Sequence, residues 1–324
     1  MTLPSAVTPL ALVSLGLAAV AAGLDLHEVE THTLVVYTTP ALKDFLEKAA
    51  IPEFERQTGA SAVPVYLSAS EEYYRVRMSR DRPEADVFVH ASPLYLEKGY
   101  MEGVIEPHAS DHDLGFGNQS RPVPGGRIWQ AFAWSPLVEV YRPGSGPVDL
   151  ANDTGKFGFA HPLLSNNGIY NVLFFEAMDP AVGRSALDRT VVQPVNAAAT
   201  IGGVADGSYD LTLGYEAVAT LYKGKGANID DGIPMLAGQN VTTPVLFAAG
   251  VVAHHPHALA QAFIESLLSP ATQDGLARYG LRPMMAGAPQ PKGALDVSGA
   301  HLVDFEWSHY PELEAALARY EVKR

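Results

Sequence analysis

Cysteine is absent from this chain of 324 residues. Its absence excludes disulfide bonds, thiolate nucleophiles, and zinc or iron–sulfur sites held by cysteine. It also argues against a lipid anchor, which needs a cysteine for attachment. The fold therefore forms without covalent cross-links between cysteines.

Positive charge is scarce as well. The chain has 22 Lys and Arg against 36 Asp and Glu, a formal net charge of −14, and no long basic run. This balance argues against a nucleic-acid-binding surface. A small anionic ligand stays possible, because backbone N–H groups, hydroxyls and helix N-termini bind anions without adding to the net charge.

The sequence also lacks the short motifs of several large enzyme classes: a G-x-S-x-G nucleophile elbow, a phosphate-binding loop, a dinucleotide fingerprint and an H-E-x-x-H zinc motif. Acidic residues and histidines are plentiful, but their positions in the sequence set up no acid–base pair. We therefore predict a binding protein. A hydrolase or transferase on the same fold is the alternative from another class.

The apolar stretch near the N-terminus, from Leu10 to Ala22, is shorter than the roughly 20 residues that a membrane span requires. It ends in the small-residue pattern AVA at 19–21, which is typical of a secretory signal. The sequence thus predicts a signal peptide over residues 1–22 and a periplasmic or extracellular protein. Because no Lys or Arg precedes this stretch, an uncleaved anchor and a buried helix stay open as alternatives.

After residue 32 the pattern alternates between apolar strands and helices. Strands are predicted at 34–37, 62–67 and 86–90, each followed by hydroxyl-bearing residues that open a helix. Such alternation predicts an α/β fold with mixed sheets and helices on both faces. Right-handed crossovers place the strand-to-helix turns at one edge of the sheet. The candidate ligand-binding residues of this part, each of which could instead be a simple helix cap, are Thr38, Thr39, Ser68, Ser70 and Ser92.

Two later strands, at 128–141 and 245–253, are predicted to cross between two lobes. They divide the chain into lobe one, residues 33–133 plus 246–324, and lobe two, residues 134–245. Two lobes agree with the length, which exceeds that of a typical single core. The cleft between the lobes is the expected ligand site.

Lobe two supplies three further candidates. Ser165 and Asn167 open a helix directly after a predicted strand at 157–160, and Tyr215 follows the last strand of this lobe. All three side chains can donate hydrogen bonds. The simpler alternatives are an Asx-type cap for the first two and a core position for the tyrosine.

Four segments of the sequence resemble the type II periplasmic solute-binding proteins of ABC transporters (extracellular solute-binding family 1). They are LVVYTT at 34–39, PEFERQTG at 52–59, ADVF at 85–88 and FIESLLSPATQ at 263–273. The Leu-Ser-Pro-x-x-Gln ending of the last segment is the most specific of these motifs. Within the family, the chain is most similar to the branch of ferric-ion, molybdate or tungstate, phosphonate and thiamine binders.

The resemblance implies a Venus-flytrap of two mixed α/β lobes that closes around one ligand, with no catalysis and no cofactor. It further implies a membrane permease as partner, and we expect a monomer. A sensor subunit that passes lobe closure to a signalling receptor is an alternative use of the same fold.

The neutral hydroxyls of the candidate site favour an oxyanion or a phosphonate-like anion, with molybdate or tungstate preferred over phosphorylated organic compounds. Ferric iron is the alternative ligand. Ferric binders of the resembling branch present two adjacent tyrosines where this sequence has Tyr215-Glu216, so the alternative iron ligands are Tyr215, Glu216 and His90. A thiamine-like cation would instead require aromatic lining.

Two groups of histidines have a composition like that of metal sites. One is His254-His255-Pro256-His257, and the other is His108 with Asp111 and His112. Both lie in predicted turns away from the candidate site. We therefore predict solvated loop histidines rather than metal ligands.

Overall fold

The computed structural model describes residues 33–110, 120–254 and 257–321, without the side chain of residue 257. The predicted signal peptide, residues 1–22, lies outside the described residues. Within the described part of the chain, no helix is both long enough and apolar enough to cross a membrane.

The first part of the chain forms three strand–helix units. They are β1 (Thr33–Thr38) with α1 (residues 40–58), β2 (Ser61–Tyr66) with α2 (Ala69–Met78), and β3 (Val87–His90) with α3 (Leu94–Met101). As predicted, β1 pairs in parallel with both β2 and β3. The carboxyl ends of the three strands therefore lie at one edge of the sheet.

Helix α1 shows how the chain accommodates Pro52. It begins as a 3₁₀ turn, Pro40–Leu42, and continues through Lys43–Phe45, a π-helical turn Leu46–Ala50, and Ile51–Thr58. Proline has no N–H to donate to the preceding turn, and the widened π turn lies directly before it. The chain therefore passes Pro52 through a π turn within a continuous helix. Gly59 ends the helix, with a left-handed φ of 76°.

The middle of the chain contains β4 (Ile105–Glu106), β5 (Ser120–Val123), β6 (Gly126–Tyr141), α4 (Asn166–Met178), α5 (Pro180–Asp188), α6 (Ala197–Ala205), β7 (Leu211–Tyr215), α7 (Glu216–Gly224), β8 (Asp230–Gly232), β9 (Met235–Leu236) and β10 (Gln239–Thr242). The strand predicted at 157–160 is reduced to a single bridge between Phe157 and Leu211.

The last part contains β11 (Pro244–Val252), α8 (His257–Leu268), α9 (Pro270–Leu276), β12 (Arg282–Pro283), β13 (His301–Leu302) and α10 (Tyr310–Leu317). Short 3₁₀ turns at Ala277–Tyr279, Trp307–His309 and Ala318–Tyr320 adjoin these helices. Within the described residues the main sheet has ten strands. Six of them are neighbours in the order β12-β6-β11-β3-β1-β2. Of the other four, β4 pairs with β11, and β5, β7 and β8 pair with β6.

Strand β6 joins the two halves of this sheet. Its first half pairs with β11 as far as the rung Pro136–Pro244, and from Leu137 onward it pairs with β7 and then β8. The fold is therefore the expected two-lobe α/β architecture, with β1–β3 in lobe one and β7 and β8 in lobe two. On this change of partner we propose that the lobes divide along the chain as predicted, at about residues 133/134 and 245/246.

The segment 301–321 contacts both lobes rather than lobe one alone. Helix α10 packs against α3 and α4. Glu314 forms an ion pair with Lys98 of α3, whereas Tyr320 stacks on Phe159 at 5.5 Å and donates a hydrogen bond to Glu176 of α4. Whether residues 246–324 belong wholly to lobe one therefore stays a prediction.

Candidate functional site

The hydroxyl-bearing residues of lobe one lie at the predicted edge, but in different settings. Thr38 ends β1 and is fully buried, and its Oγ1 has no hydrogen-bond partner among the described residues. Thr39 caps the next turn, since its Oγ1 accepts the Ala41 N–H at 3.5 Å. Ser68 precedes α2 without capping it, and Ser70 is buried in the first turn of that helix. Thr38 therefore offers the clearest unused hydroxyl of this group.

Ser92 and Tyr170 each hold a backbone N–H near the ends of β3 and β11. The Ser92 Oγ accepts the Leu94 N–H at 3.2 Å, which makes it a cap for α3. The Tyr170 oxygen accepts the Leu246 N–H at 2.9 Å. The buried Tyr170 phenol thus joins α4 to the crossing strand β11. Sequence reasoning missed Tyr170, although a tyrosine one turn into a mostly apolar helix is a signal of such a role.

The N-terminus of α4 presents unused donors. The first N–H groups of any α-helix have no partner inside the helix and attract anions. Ser165 occupies the N-cap position without capping, and its buried Oγ has no hydrogen-bond partner in the part of the chain that the structure describes. Asn167 is fully buried and donates through Nδ2 to the Leu213 carbonyl at 2.8 Å. Both candidates therefore lie where a small anion could be held.

Tyr215 ends β7 beside the same helix. Its ring lies edge-on to Tyr170, at 6.3 Å between centroids, and to Phe247 of β11, at 6.2 Å. Burial, with a smaller contribution from Tyr170, holds the pKa of the Tyr215 phenol well above its usual range. The hydroxyl, which is unpaired among the described residues, is therefore a neutral hydrogen-bond donor.

Trp307 was not predicted to be near the site. Its ring packs edge-on against Tyr170 at 5.7 Å and against Phe305 at 5.4 Å. Its indole Nε1 is buried without a partner among residues 33–110, 120–254 and 257–321. Nothing in the local sequence of this late segment indicates the contact, because it depends on the path of the chain across both lobes.

His90 and Glu72 lie behind the β3 turn. The His90 Nδ1 hydrogen-bonds the Ser92 carbonyl at 2.8 Å, and Nε2 lies 3.8 Å from Glu72 Oε2. Burial lowers the pKa of His90 to about 4, and the Ser92 and Ala69 carbonyls oppose this shift. Burial, with a smaller contribution from the Glu71 charge, raises the pKa of Glu72 well above its usual value. Burial therefore disfavours the charged form of both groups.

The alternative iron site does not fit this geometry. The Arg282 guanidinium donates two hydrogen bonds to the Glu216 carboxylate, at 2.8 and 2.9 Å, and the Leu295 N–H donates a third at 2.6 Å. These three hydrogen bonds occupy the Glu216 carboxylate and argue against it as an iron ligand. His90 Nδ1 is hydrogen-bonded to the Ser92 carbonyl, and the described residues contain no group of three or more His, Asp or Glu side chains that could hold a metal ion.

The expectation that the histidine clusters are solvated fails for His108. That residue is buried and bridges to Arg127, and burial together with the Arg127 charge lowers the pKa of His108 to about 4. His254 is exposed, as predicted. The structure does not describe Asp111, His112 and His255.

Gly168 fixes the position of the α4 N-terminus. A Cβ at this position would lie 2.3 Å from the His161 carbonyl oxygen, a backbone atom that cannot move aside as a side chain can. We expect Gly168→Ala to lower the free energy of unfolding by about 1–3 kcal/mol, measured by urea titration. Gly275→Ala is the control, because nothing lies within 4 Å of its added Cβ. Equal effects of the two substitutions would contradict the close approach of His161.

Residues 34–282 match the model of the family described as bacterial extracellular solute-binding protein. No curated protein matches the chain by sequence.

Three solved structures illustrate the likeness in fold. The periplasmic binding protein AfuA from Actinobacillus pleuropneumoniae, with fructose 6-phosphate bound, has a TM-score of 0.76 at 15% identity over 89% of this chain and 97% of that one. A ferric binding protein from Campylobacter jejuni has a TM-score of 0.72 at 17% identity, covering 89% and 98%. A periplasmic thiamin binding protein has a TM-score of 0.69 at 18% identity, covering 89% and 95%. With a family match over most of its length and this fold, the chain belongs to the bacterial extracellular solute-binding proteins.

Proposed function

We propose that this protein captures a small anion, an oxyanion or phosphonate-like group, between its two lobes and delivers it to an ABC-importer permease. The observation that carries the proposal is a set of buried, unused hydroxyls at the end of β1, at the N-terminus of α4 and at the end of β7. Thr38, Ser165 and Tyr215 each bury a hydroxyl that has no hydrogen-bond partner among the described residues. An unpaired buried hydroxyl costs about 1–3 kcal/mol, which an acceptor-rich ligand would recover.

The charge distribution of the site supports an anion held without a formal cation. The three hydroxyls are neutral, and the N-terminus of α4 adds the partial positive charge of its dipole and free N–H groups. Such donors bind anionic oxygens more strongly than neutral ones. Thr39, Ser68, Ser70 and Ser92 complete the proposed lobe-one side, with Thr39 and Ser92 also acting as caps.

The solved relatives do not identify the ligand, because their bound or named solutes differ in kind: a sugar phosphate, ferric iron and thiamin. Their common property is binding rather than catalysis. In this chain the titratable pair nearest the β3 turn, Glu72 and His90, is buried, and burial raises the pKa of Glu72 and lowers that of His90. We therefore propose a binding role in the periplasm or outside the cell, with the permease as membrane partner and the monomer as working form.

A thermal-shift screen of the full chain tests the proposal. The probes are molybdate, tungstate, sulfate, phosphate, 2-aminoethylphosphonate, citrate, thiamine and ferric citrate. A ligand at 100 times its Kd adds about 2.7 kcal/mol of stability, which raises the Tm by several degrees. We expect such a shift with at least one anion, and a shift with thiamine or iron alone would contradict the anion assignment.

Ser165→Ala then locates the site. Loss of a hydrogen bond to a charged ligand costs about 1.5–3 kcal/mol, so we expect the affinity for the active probe to fall about tenfold or more by calorimetry. Ser61→Ala, which changes an exposed serine of β2, is the matched control. Unchanged affinity in Ser165→Ala would place the ligand elsewhere.

A further inference from the structure

The first two turns of α4 carry two asparagines whose amide orientation is fixed by the chain. Asn167 Nδ2 and Asn171 Nδ2 both approach the Leu213 carbonyl oxygen, at 2.8 and 3.1 Å. A carbonyl oxygen can only accept, so each amide must present its nitrogen there. The oxygen of each amide therefore points away from the Leu213 carbonyl.

The Asn167 oxygen is a buried acceptor without a donor. The side chain is fully buried, and Oδ1 has no hydrogen-bond partner within the described residues. Asn167 lies in the first turn of α4, two residues after Ser165 and three before Tyr170, so it shares a helix face with Tyr170. It therefore lies near Ser165 and on the face of α4 where Tyr170 packs against Tyr215. Asn171, one turn further along, has an Oδ1 that is likewise buried without a partner among the described residues.

A bare, fully deprotonated oxyanion does not suit this surface. Such an ion offers only acceptors, which satisfy the hydroxyls of Thr38, Ser165 and Tyr215 but not an amide oxygen. Leaving that oxygen unpaired costs about 1–3 kcal/mol, and placing it beside an anion adds repulsion. A ligand with its own O–H or N–H group next to the anionic group satisfies both kinds of atom.

We propose that the ligand is an organic anion with a neighbouring hydrogen-bond donor, such as a hydroxyalkyl phosphate, a hydroxycarboxylate or an aminoalkylphosphonate, and that Asn167 Oδ1 accepts from that donor. The proposal rests on the proposed function, because it assigns chemistry to the same site. It replaces the sequence-based preference for molybdate and tungstate with a preference for ligands that both accept and donate.

Three pairs of probes that differ mainly in the donor group test this assignment by calorimetry on the full chain: glycerol 3-phosphate against propyl phosphate, lactate against propionate, and 2-aminoethylphosphonate against ethylphosphonate. Molybdate and sulfate serve as bare anions. We expect at least one donor-bearing probe to bind about tenfold or more tightly than its partner and than both bare anions. If a bare anion or a donor-free analogue binds as tightly, the inference is overturned while the anion function stands. If no probe binds, both are overturned.

Asn167→Ala identifies the residue responsible. We expect it to reduce the preference for the donor-bearing member of the active pair to within about twofold, whereas Asn171→Ala, which loses a hydrogen bond to the same Leu213 carbonyl, keeps the wild-type preference. The ratio of the two affinities is the readout, because general loosening of α4 weakens both probes alike. Equal loss of preference in both variants would contradict a role that is specific to Asn167.

Discussion

Gln273→Met is expected to lower the free energy of unfolding by about 3 kcal/mol or more, because the buried amide serves four backbone groups. Its Nε2 donates to the carbonyls of Phe132 and Leu267, both at 2.8 Å. Its Oε1 accepts the N–H groups of Met284 and Met285, at 2.9 and 3.2 Å. One side chain thus connects α9 to β6, to the end of α8 and to the segment after β12. Urea unfolding followed by circular dichroism measures the loss.

Gln57→Met is the control for that substitution, since Gln57 makes one hydrogen bond, to Glu53 on the same helix. We expect it to leave the unfolding midpoint unchanged. Gln273→Glu gives a second test if the methionine variant does not fold. It keeps the acceptor for both N–H groups but turns a carboxylate oxygen toward two carbonyls, so its stability should rise as the pH falls and the carboxyl is protonated. Equal stability of the Gln273→Met and Gln57→Met variants would remove the proposed role of the amide.

Arg282→Met is expected to cost about 3–5 kcal/mol, because it leaves the Glu216 carboxylate buried without its charge partner. The guanidinium holds Glu216 through two hydrogen bonds and lies 5.0 Å from the centre of the Trp134 ring. It also donates to the Leu295 carbonyl at 2.6 Å. Thermal unfolding and urea titration of the full chain measure the effect.

The control for Arg282 is another paired arginine. Arg56 also donates two hydrogen bonds to one glutamate, Glu53, but this pair lies on the surface of α1. We expect Arg56→Met to leave the Tm unchanged. The double variant Arg282→Met with Glu216→Gln should recover much of the loss, since no unpaired charge stays buried. Failure of that recovery would show that the ring contact, and not the ion pair, carries the stability.

The local pattern of the sequence was sufficient to predict the strand–helix units and the two crossing strands. The runs of β-branched and aromatic residues at β1, β3 and β11 are buried strands, and the hydroxyl residues after them begin helices. The motif ending in Gln273 predicted a family, and its physical role is the set of four backbone hydrogen bonds. The strands and helix starts depend on residues that are close in sequence, and the motif depends on the Gln273 side chain.

Partners far apart in the chain could not be predicted. Glu216 looked like a free carboxylate because its partner, Arg282, is 66 residues away. His108 looked like a loop residue because its burial depends on pairing with Arg127 of β6. Trp307 reaches Tyr170 only because the last segment crosses both lobes. Whether Thr38, Ser165, Asn167 and Tyr215 bind the ligand stays a prediction that the titrations above test.

The rung at which β6 changes partner has a consequence for any study of lobe motion. Pro136 and Pro244 lie opposite each other there, and neither has an amide hydrogen. The sheet can bend at this rung without breaking a backbone hydrogen bond, yet deuterium labelling of amides is blind to the two prolines. The nearest reporters are the amide of Leu137, which donates to the Thr243 carbonyl at 3.0 Å, and that of Val245. Deuterium uptake at these two amides, or a pair of spin labels across the cleft, is therefore the suitable measure of opening.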